Sequence, residues 1–224
     1  MASKLQFVSE LADHTARTVT HSVDGWKRYL DTAARIYKYP FQDQLLIYAQ
    51  NPEATACASM ELWNETMRRW VKPGSKGIAL IRKSASGRPL LDYVFDVADT
   101  RPVRGAREPY LWQMREDHHA AVLEALERKY GPTGDEGIGA RLMELAAWAV
   151  DGVYRDYLSD LAYDVRSSLL EELDDRSLEL RFQNVLTASV QYTLLTRCGL
   201  DPAKYVEDAA LLGITGFSTP AVLH

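Results

Sequence analysis

The sequence predicts an α+β fold: a small antiparallel sheet with flanking helices, followed by an all-helical domain. Three observations predict it. Apolar residues recur at helical spacing between residues 24 and 68. The texture then switches to short β-rich runs over 70–97, broken by turn residues at Pro73-Gly74 and at Ser84–Pro89. From His118 the helical period returns almost to the end. Strands gathered in one stretch, apart from the helices, are the pattern of an α+β chain.

Taken in order, the first 22 residues are polar and mixed and read as a loose arm or a frayed helix, so residues 1–23 are assigned to an N-terminal arm. After Asp24-Gly25, the residues Trp26, Tyr29, Leu30, Ala33, Ile36 and Tyr37 recur at helical spacing, until Pro40 stops the helix and restrains Tyr39. Phe41 to Gln50 reads as a second helix with Leu45, Leu46 and Tyr48 inward, closed by Asn51-Pro52. Ser59 is placed as the N-cap of a third, running to Arg68. Trp70-Val71, Gly77–Ile81 and Leu90–Val97 read as three strands separated by two turns. These elements make one domain over residues 24–105, and the arginines and prolines of 99–115 mark a linker assigned to 106–117.

Residues 118–224 are expected to be helical throughout. His118–Tyr130 ends at Gly131-Pro132, Gly134–Gly139 reads as flexible, and Ala140 to Arg166 reads as one long amphipathic helix. Leu178–Cys198 is closed by Gly199 as C-cap, and Asp201–Leu212 is a final short helix. The end at Gly216–Pro220 lacks an obvious terminal helix, which raises the expectation of a longer parent chain.

Composition bounds the function classes. In 224 residues, 46% are hydrophobic and 25% charged, which excludes a disordered or collagen-like chain. No apolar run approaches the ~20 residues a membrane span needs, and Met1-Ala2-Ser3-Lys4 lacks the pattern of a signal peptide. Cys57 and Cys198 are too few for a disulfide framework or a four-cysteine zinc site. The expectation is a cytoplasmic protein with no membrane partner.

The net charge of −5 hides an asymmetry. Residues 1–110 hold 16 basic and 12 acidic side chains, whereas residues 111–224 hold 10 and 19. Residues 68–107 alone hold 10 basic and 3 acidic. A field is set by where the charges sit, so this segment can bind a polyanion within an acidic protein. Lys72, Lys76, Arg82, Lys83 and Arg88 lie on two turns and the strand between them, with Trp63, Trp70, Tyr93 and Phe95 interleaved. Lysine and arginine neutralise phosphates, exposed rings offer stacking faces to unpaired bases, and Gly74 and Gly77 would let backbone approach a phosphate. The competing reading is a solvated basic hairpin whose tryptophans are core.

Asn51-Pro52-Glu53-Ala54-Thr55, then Trp63, then Val71-Lys72-Pro73-Gly74-Ser75-Lys76-Gly77-Ile78-Ala79-Leu80 resembles the N-terminal domain of ArdC-type antirestriction proteins. The resemblance covers residues 24–100. Pro73 stands where the family usually has lysine, and Ser75 where it has glutamate. What the resemblance implies is a single-stranded-DNA-binding domain from plasmids and conjugative elements. Lys72, Lys76, Arg82, Lys83 and Arg88 would contact phosphates, with Trp63, Trp70 and Tyr93 as stacking or supporting rings.

Such proteins commonly continue into a helical zincin-like domain carrying His-Glu-x-x-His, where two imidazoles on one helix face hold zinc and the glutamate acts as base. If Glu144 matches that glutamate, Met143 and Ala147 occupy the histidine positions, and the later helix Leu186–Tyr192 offers no acid. His14, His21, His118, His119 and His224 form no i, i+4 pair, and adjacent His118-His119 diverge by ~100° on a helix. The glycine-rich Gly134–Gly139 lacks the lysine of a phosphate loop, and Glu171-Glu172 with Asp174-Asp175 is a carboxylate cluster of the kind found on solvated faces. The expectation is therefore a protein without peptidase activity, cofactor or metal. Two rivals stand beside DNA binding: an interaction module whose acidic helical half docks a defence, restriction or conjugation protein, and a residual hydrolase using Glu144.

Overall fold

The computed structural model describes residues 3–132, 134, 137–166, 168–219 and 223, and it is α+β. Lys4–Val19 forms helix α1, Val23–Arg35 α2 and Phe41–Gln50 α3. Five strands follow: β1 (Cys57–Ser59), β2 (Arg69–Val71), β3 (Ile78–Lys83), β4 (Pro89–Asp96) and β5 (Thr100–Pro102). The helical part comprises α4 (Glu116–Tyr130), α5 (Ile138–Asp151), α6 (Leu158–Asp164), α7 (Asp175–Arg197) and α8 (Asp208–Leu211).

The chain divides into two compact units. The first holds residues 3–17 and 35–111, the second residues 18–34 and 112–219. The second unit therefore takes most of α2, a helix that the sequence groups with the strands of residues 24–105. Its reason is chemical: buried Trp26 donates its indole N–H to Ser189 Oγ on α7 at 2.8 Å, Tyr192 O–H donates to Asp31 at 3.2 Å, and Lys27 pairs with Asp208. Of the two readings of the N-terminal stretch the helical one holds, and the helix is packed, not frayed. Leu5, Val8, Leu11, Ala12, Thr15 and Ala16 recur at helical spacing, and Val8 and Ala16 are buried.

In the first unit a three-stranded antiparallel sheet runs in the order β1-β4-β3, and β2 pairs with β5 in a separate two-stranded ribbon. The strands flanking the Pro73-Gly74 turn thus belong to different sheets. Val8, Ile36, Leu46, Ile47, Ala54, Ile78, Ala79, Leu80 and Val94 form one core cluster. The open edge of β3 is covered at Ala79, whose N–H donates to Gln50 Oε1 at 2.9 Å and whose carbonyl accepts from Gln50 Nε2 at 3.0 Å. One amide side chain so stands in for a missing strand.

Three expected helices come out differently. The one placed from Ser59 to Arg68 is a short turn closed by a π-helical segment, Leu62–Thr66, although Ser59 Oγ does accept from Leu62 N–H at 3.2 Å. The wide turn points Trp63 inward. The long helix over 140–166 breaks at Gly152, and a 3-10 turn, Tyr154–Tyr157, buries Tyr154 so that its hydroxyl donates to Glu179 at 2.9 Å. The last helix is only α8, flanked by 3-10 turns at Pro202–Lys204 and Leu212–Gly216. Of the stretch expected to be flexible, Asp135 and Glu136 lie outside the described residues, as does His224. Ile138 and Gly139 are helical and buried.

Candidate nucleic-acid interface

The ribbon presents the basic segment. Chain direction changes at Arg68, which has φ +52°, an uncommon left-handed conformation for a residue with a side chain. Alternation along the next strand then sends Arg69 inward and Trp70 outward. Arg69 is buried, its Nε 3.0 Å from Thr100 Oγ1 and its Nη1 within 3.2 Å of Glu108. Trp70 is 53% exposed and lies directly across the ribbon from exposed Arg101. The ribbon is held by Val71 N–H donating to Asn64 Oδ1 at 3.2 Å and Lys72 N–H donating to Asp99 O at 2.8 Å.

Lys72 is exposed, with its ammonium on the Ala98 carbonyl at 2.7 Å, a neutral partner that leaves the positive charge intact. Lys76, Lys83 and Arg88 are also exposed. Among the described residues, the ion pairs within the basic segment are Arg69 with Glu108 and Arg82 with Asp43 and Asp92, so these lysines and Arg88 keep uncompensated charge, as do Arg101, Arg104 and Arg107.

Arg82 stands differently from the expectation that it contacts phosphate. Its Nη1 donates to both oxygens of buried Asp43, at 2.7 and 2.8 Å, and that hydrogen bonding pushes its pKa up from the ordinary arginine value. Its charge ties β3 to α3. Trp63 is only 3% exposed and donates its indole N–H to Phe95 O at 2.8 Å, so it supports the sheet and offers no stacking face. Tyr93 is half-buried, and Lys4 of α1 covers its ring with the ammonium 4.8 Å from the centroid. Gly77 has a packing role: a Cβ there would lie 3.1 Å from Phe95 and 3.2 Å from Tyr93, so its bareness accommodates rings. Gly74, with φ +86° and open space around it, is the glycine its turn requires.

Neither Arg101 nor Lys4, which lies in the expected N-terminal arm, is among the contacts that the sequence suggests. For Lys4 a signal existed in the apolar spacing of α1. Arg101 falls within the domain but in no expected strand, because the pairing partner of a three-residue strand leaves no mark in the sequence.

The residues Asn51–Thr55 are a docking turn. Asn51 Oδ1 accepts from Glu53 N–H at 3.2 Å, Ala54 is fully buried, and buried Asp96 accepts from the N–H groups of Thr55 and Ala56 at 2.7 and 3.0 Å. Cys57 packs beside Asp96, where burial first and that carboxylate second push its thiol up to about 12. Burial likewise raises Cys198. Neither is an activated thiolate.

In the second unit, Glu144 is exposed and paired with buried Arg141 three residues away, and Met143 O accepts from Gln191 at 3.0 Å. Asp174 caps α7. His118 Nδ1 accepts from Arg115 N–H at 3.3 Å at the start of α4. Among the described residues no group of three or more His, Cys, Asp or Glu is placed to hold a metal ion, and no helix is long and apolar enough to cross a membrane. A groove of about 970 Å³ along α7 is lined by Trp148, Leu180, Asn184, Ala188 and Gln191 with one cation, Arg181, and one anion, Asp151. A phosphate backbone would find no matching row of charge in it.

Comparison of the chain with protein-family models, curated proteins and solved structures returns no match.

Proposed function

We propose that this chain binds single-stranded DNA without sequence preference, as a binding protein and not a peptidase. The observation that carries the reading is Trp70, half exposed on a ribbon opposite Arg101, with the uncompensated charges of Lys72 and Lys76 on the adjoining turn. A protruding ring finds a face to stack on only where bases are unpaired, which favours a single strand over a duplex. Every base has such a face, and cations read only phosphate, so sequence preference is weak. The resemblance of Asn51–Thr55 and Val71–Leu80 to ArdC-type domains supports DNA as the polymer and a mobile-element setting, in which entering DNA is protected.

The test is an anisotropy titration with a labelled single strand of about 30 nucleotides and the matching duplex, at several salt concentrations. Expected is preference for the single strand and a steep loss of affinity with salt, with Lys72→Glu and Lys76→Glu each flattening the salt slope by about one. No binding at low salt, or equal binding of duplex, overturns the proposal.

A further inference from the structure

We infer that the strand-binding surface continues beyond the ribbon along the β3–β4 hairpin, and that α1 supplies its middle station through Lys4 and Phe7. The inference rests on the single-strand reading of the ribbon. Antiparallel register and strand alternation place Ala79, Ile81 and Lys83 on one face of the sheet with Tyr93, Leu91 and Pro89. The other face carries Ile78 and Leu80 into the core and Arg82 to Asp43 on α3.

Helix α1 reaches the first face at Tyr93. Val8 shares the core cluster with Ala79, and the Lys4 ammonium stands over the Tyr93 ring. An aromatic face holds a cation without neutralising it. Lys4 is exposed and, among the described residues, has no carboxylate partner. Phe7, one turn further along and on the same side of the helix, is 61% exposed while Val8 beside it is buried. An aromatic ring left outside the core next to an uncompensated cation repeats the pairing of Trp70 with Arg101.

The spacing fits a strand. Lys76 precedes β3, the Lys4–Tyr93 contact sits at its Ala79 rung, Lys83 ends it, and Arg88 lies in the turn that follows. Six residues of β3 at ~3.3 Å each separate the ends of this row by about 20 Å. A stacked strand carries a phosphate every ~3.4 Å, so about six phosphates span the row. A strand of about four nucleotides is too short to span this row and is held at the ribbon, whereas a longer one reaches both.

The experiment compares labelled oligothymidylates of about 4, 12 and 30 nucleotides against the full chain and the double variant Lys4→Glu/Phe7→Ala. Expected is at least fivefold weaker binding of the 12-mer by the double variant. The 4-mer, held at the ribbon, should change less than twofold. Lys4→Arg retains wild-type affinity for both. Circular dichroism and thermal melting check the fold, and Phe7→Ala alone, which leaves the Lys4–Tyr93 contact in place, gives the same length-dependent loss at smaller size. If folded variants bind the 12-mer as tightly as wild type, the α1 station is overturned while the ribbon stands. If wild type fails to bind the 30-mer at low salt, both readings fall.

Discussion

Arg82 donates from one guanidinium nitrogen to both carboxylate oxygens of Asp43, at 2.7 and 2.8 Å, and so ties β3 to α3 within the basic segment. Asp43 is buried, whereas the Arg82 side chain is 37% exposed. Removing the arginine leaves a carboxylate without its partner in the interior. Arg82→Ala is expected to cost about 2–3 kcal/mol, below the full cost of breaking a buried pair because solvent reaches one side. Asp43→Ala/Arg82→Ala should recover part of the loss. Urea unfolding measures both, and single-strand affinity of the folded Arg82→Ala protein should change less than twofold. A tenfold loss of affinity would put Arg82 back among the phosphate contacts.

The α+β class and most strands were legible because turn residues at Pro73-Gly74 and Ser84–Pro89 punctuate apolar runs locally. Long-range choices were not. That β2 pairs with β5 and not across the turn with β3 depends on Lys72 meeting Asp99 and Arg69 finding Thr100, contacts between residues about thirty positions apart. The same holds for Arg82: its type and position suggested a phosphate contact, and only the fold brings Asp43 to it. The break at Gly152 hid within a continuous helical period, since Tyr154 turns inward for a partner, Glu179, on another helix. Of the candidate rings, Trp70 alone is held outward, and nothing local distinguishes it from Trp63.

Gly77 provides a check on packing against phosphate approach. Its missing Cβ would meet the tip of the buried Phe95 ring and the Cβ of Tyr93, the latter fixed by the strand. Gly77→Ala is expected to destabilise by about 1–2 kcal/mol through overpacking. At Gly74 there is open space, and Gly74→Ala costs about 1 kcal/mol through its positive φ alone. Crystal or NMR data on Gly77→Ala should register a displaced Tyr93 ring. An unmoved ring with wild-type stability would show that the site has room.

The acid limb of stability is expected to include Asp174. Its carboxylate caps α7 by accepting from Ser177 N–H at 3.0 Å and Ser177 O–H at 2.7 Å, and these bonds, the hydroxyl first, hold its pKa below the usual aspartate value. A carboxylate with a lowered folded pKa contributes stability that is full above its unfolded value of about 3.9 and disappears as pH falls through the folded value. Asp174→Ala should therefore lower Tm at pH 7, and the gap to wild type should narrow as pH falls below about 4. Thermal melts at three pH values decide it. A gap that stays constant down to pH 2 would mean that the cap acts without its charge.

The two tryptophans separate fold from function. Trp63 is buried and bonded to Phe95 O, so Trp63→Ala opens a cavity and removes that hydrogen bond, at a cost of about 3–5 kcal/mol. Trp70 already meets solvent over half its surface, and its strand is held by backbone and by Asn64, so Trp70→Ala should change stability by less than about 1 kcal/mol. Its effect belongs to binding: stacking on an unpaired base is worth about 1–3 kcal/mol, hence roughly five- to 150-fold in single-strand affinity. Trp70→Phe keeps an aromatic face and should restore most of it. The salt slope distinguishes this from a charge effect, because losing a ring weakens binding at every salt concentration while leaving the number of phosphates neutralised unchanged. Parallel salt plots for wild type and Trp70→Ala, offset in affinity, are the expected result, and coincident plots would remove Trp70 from the interface.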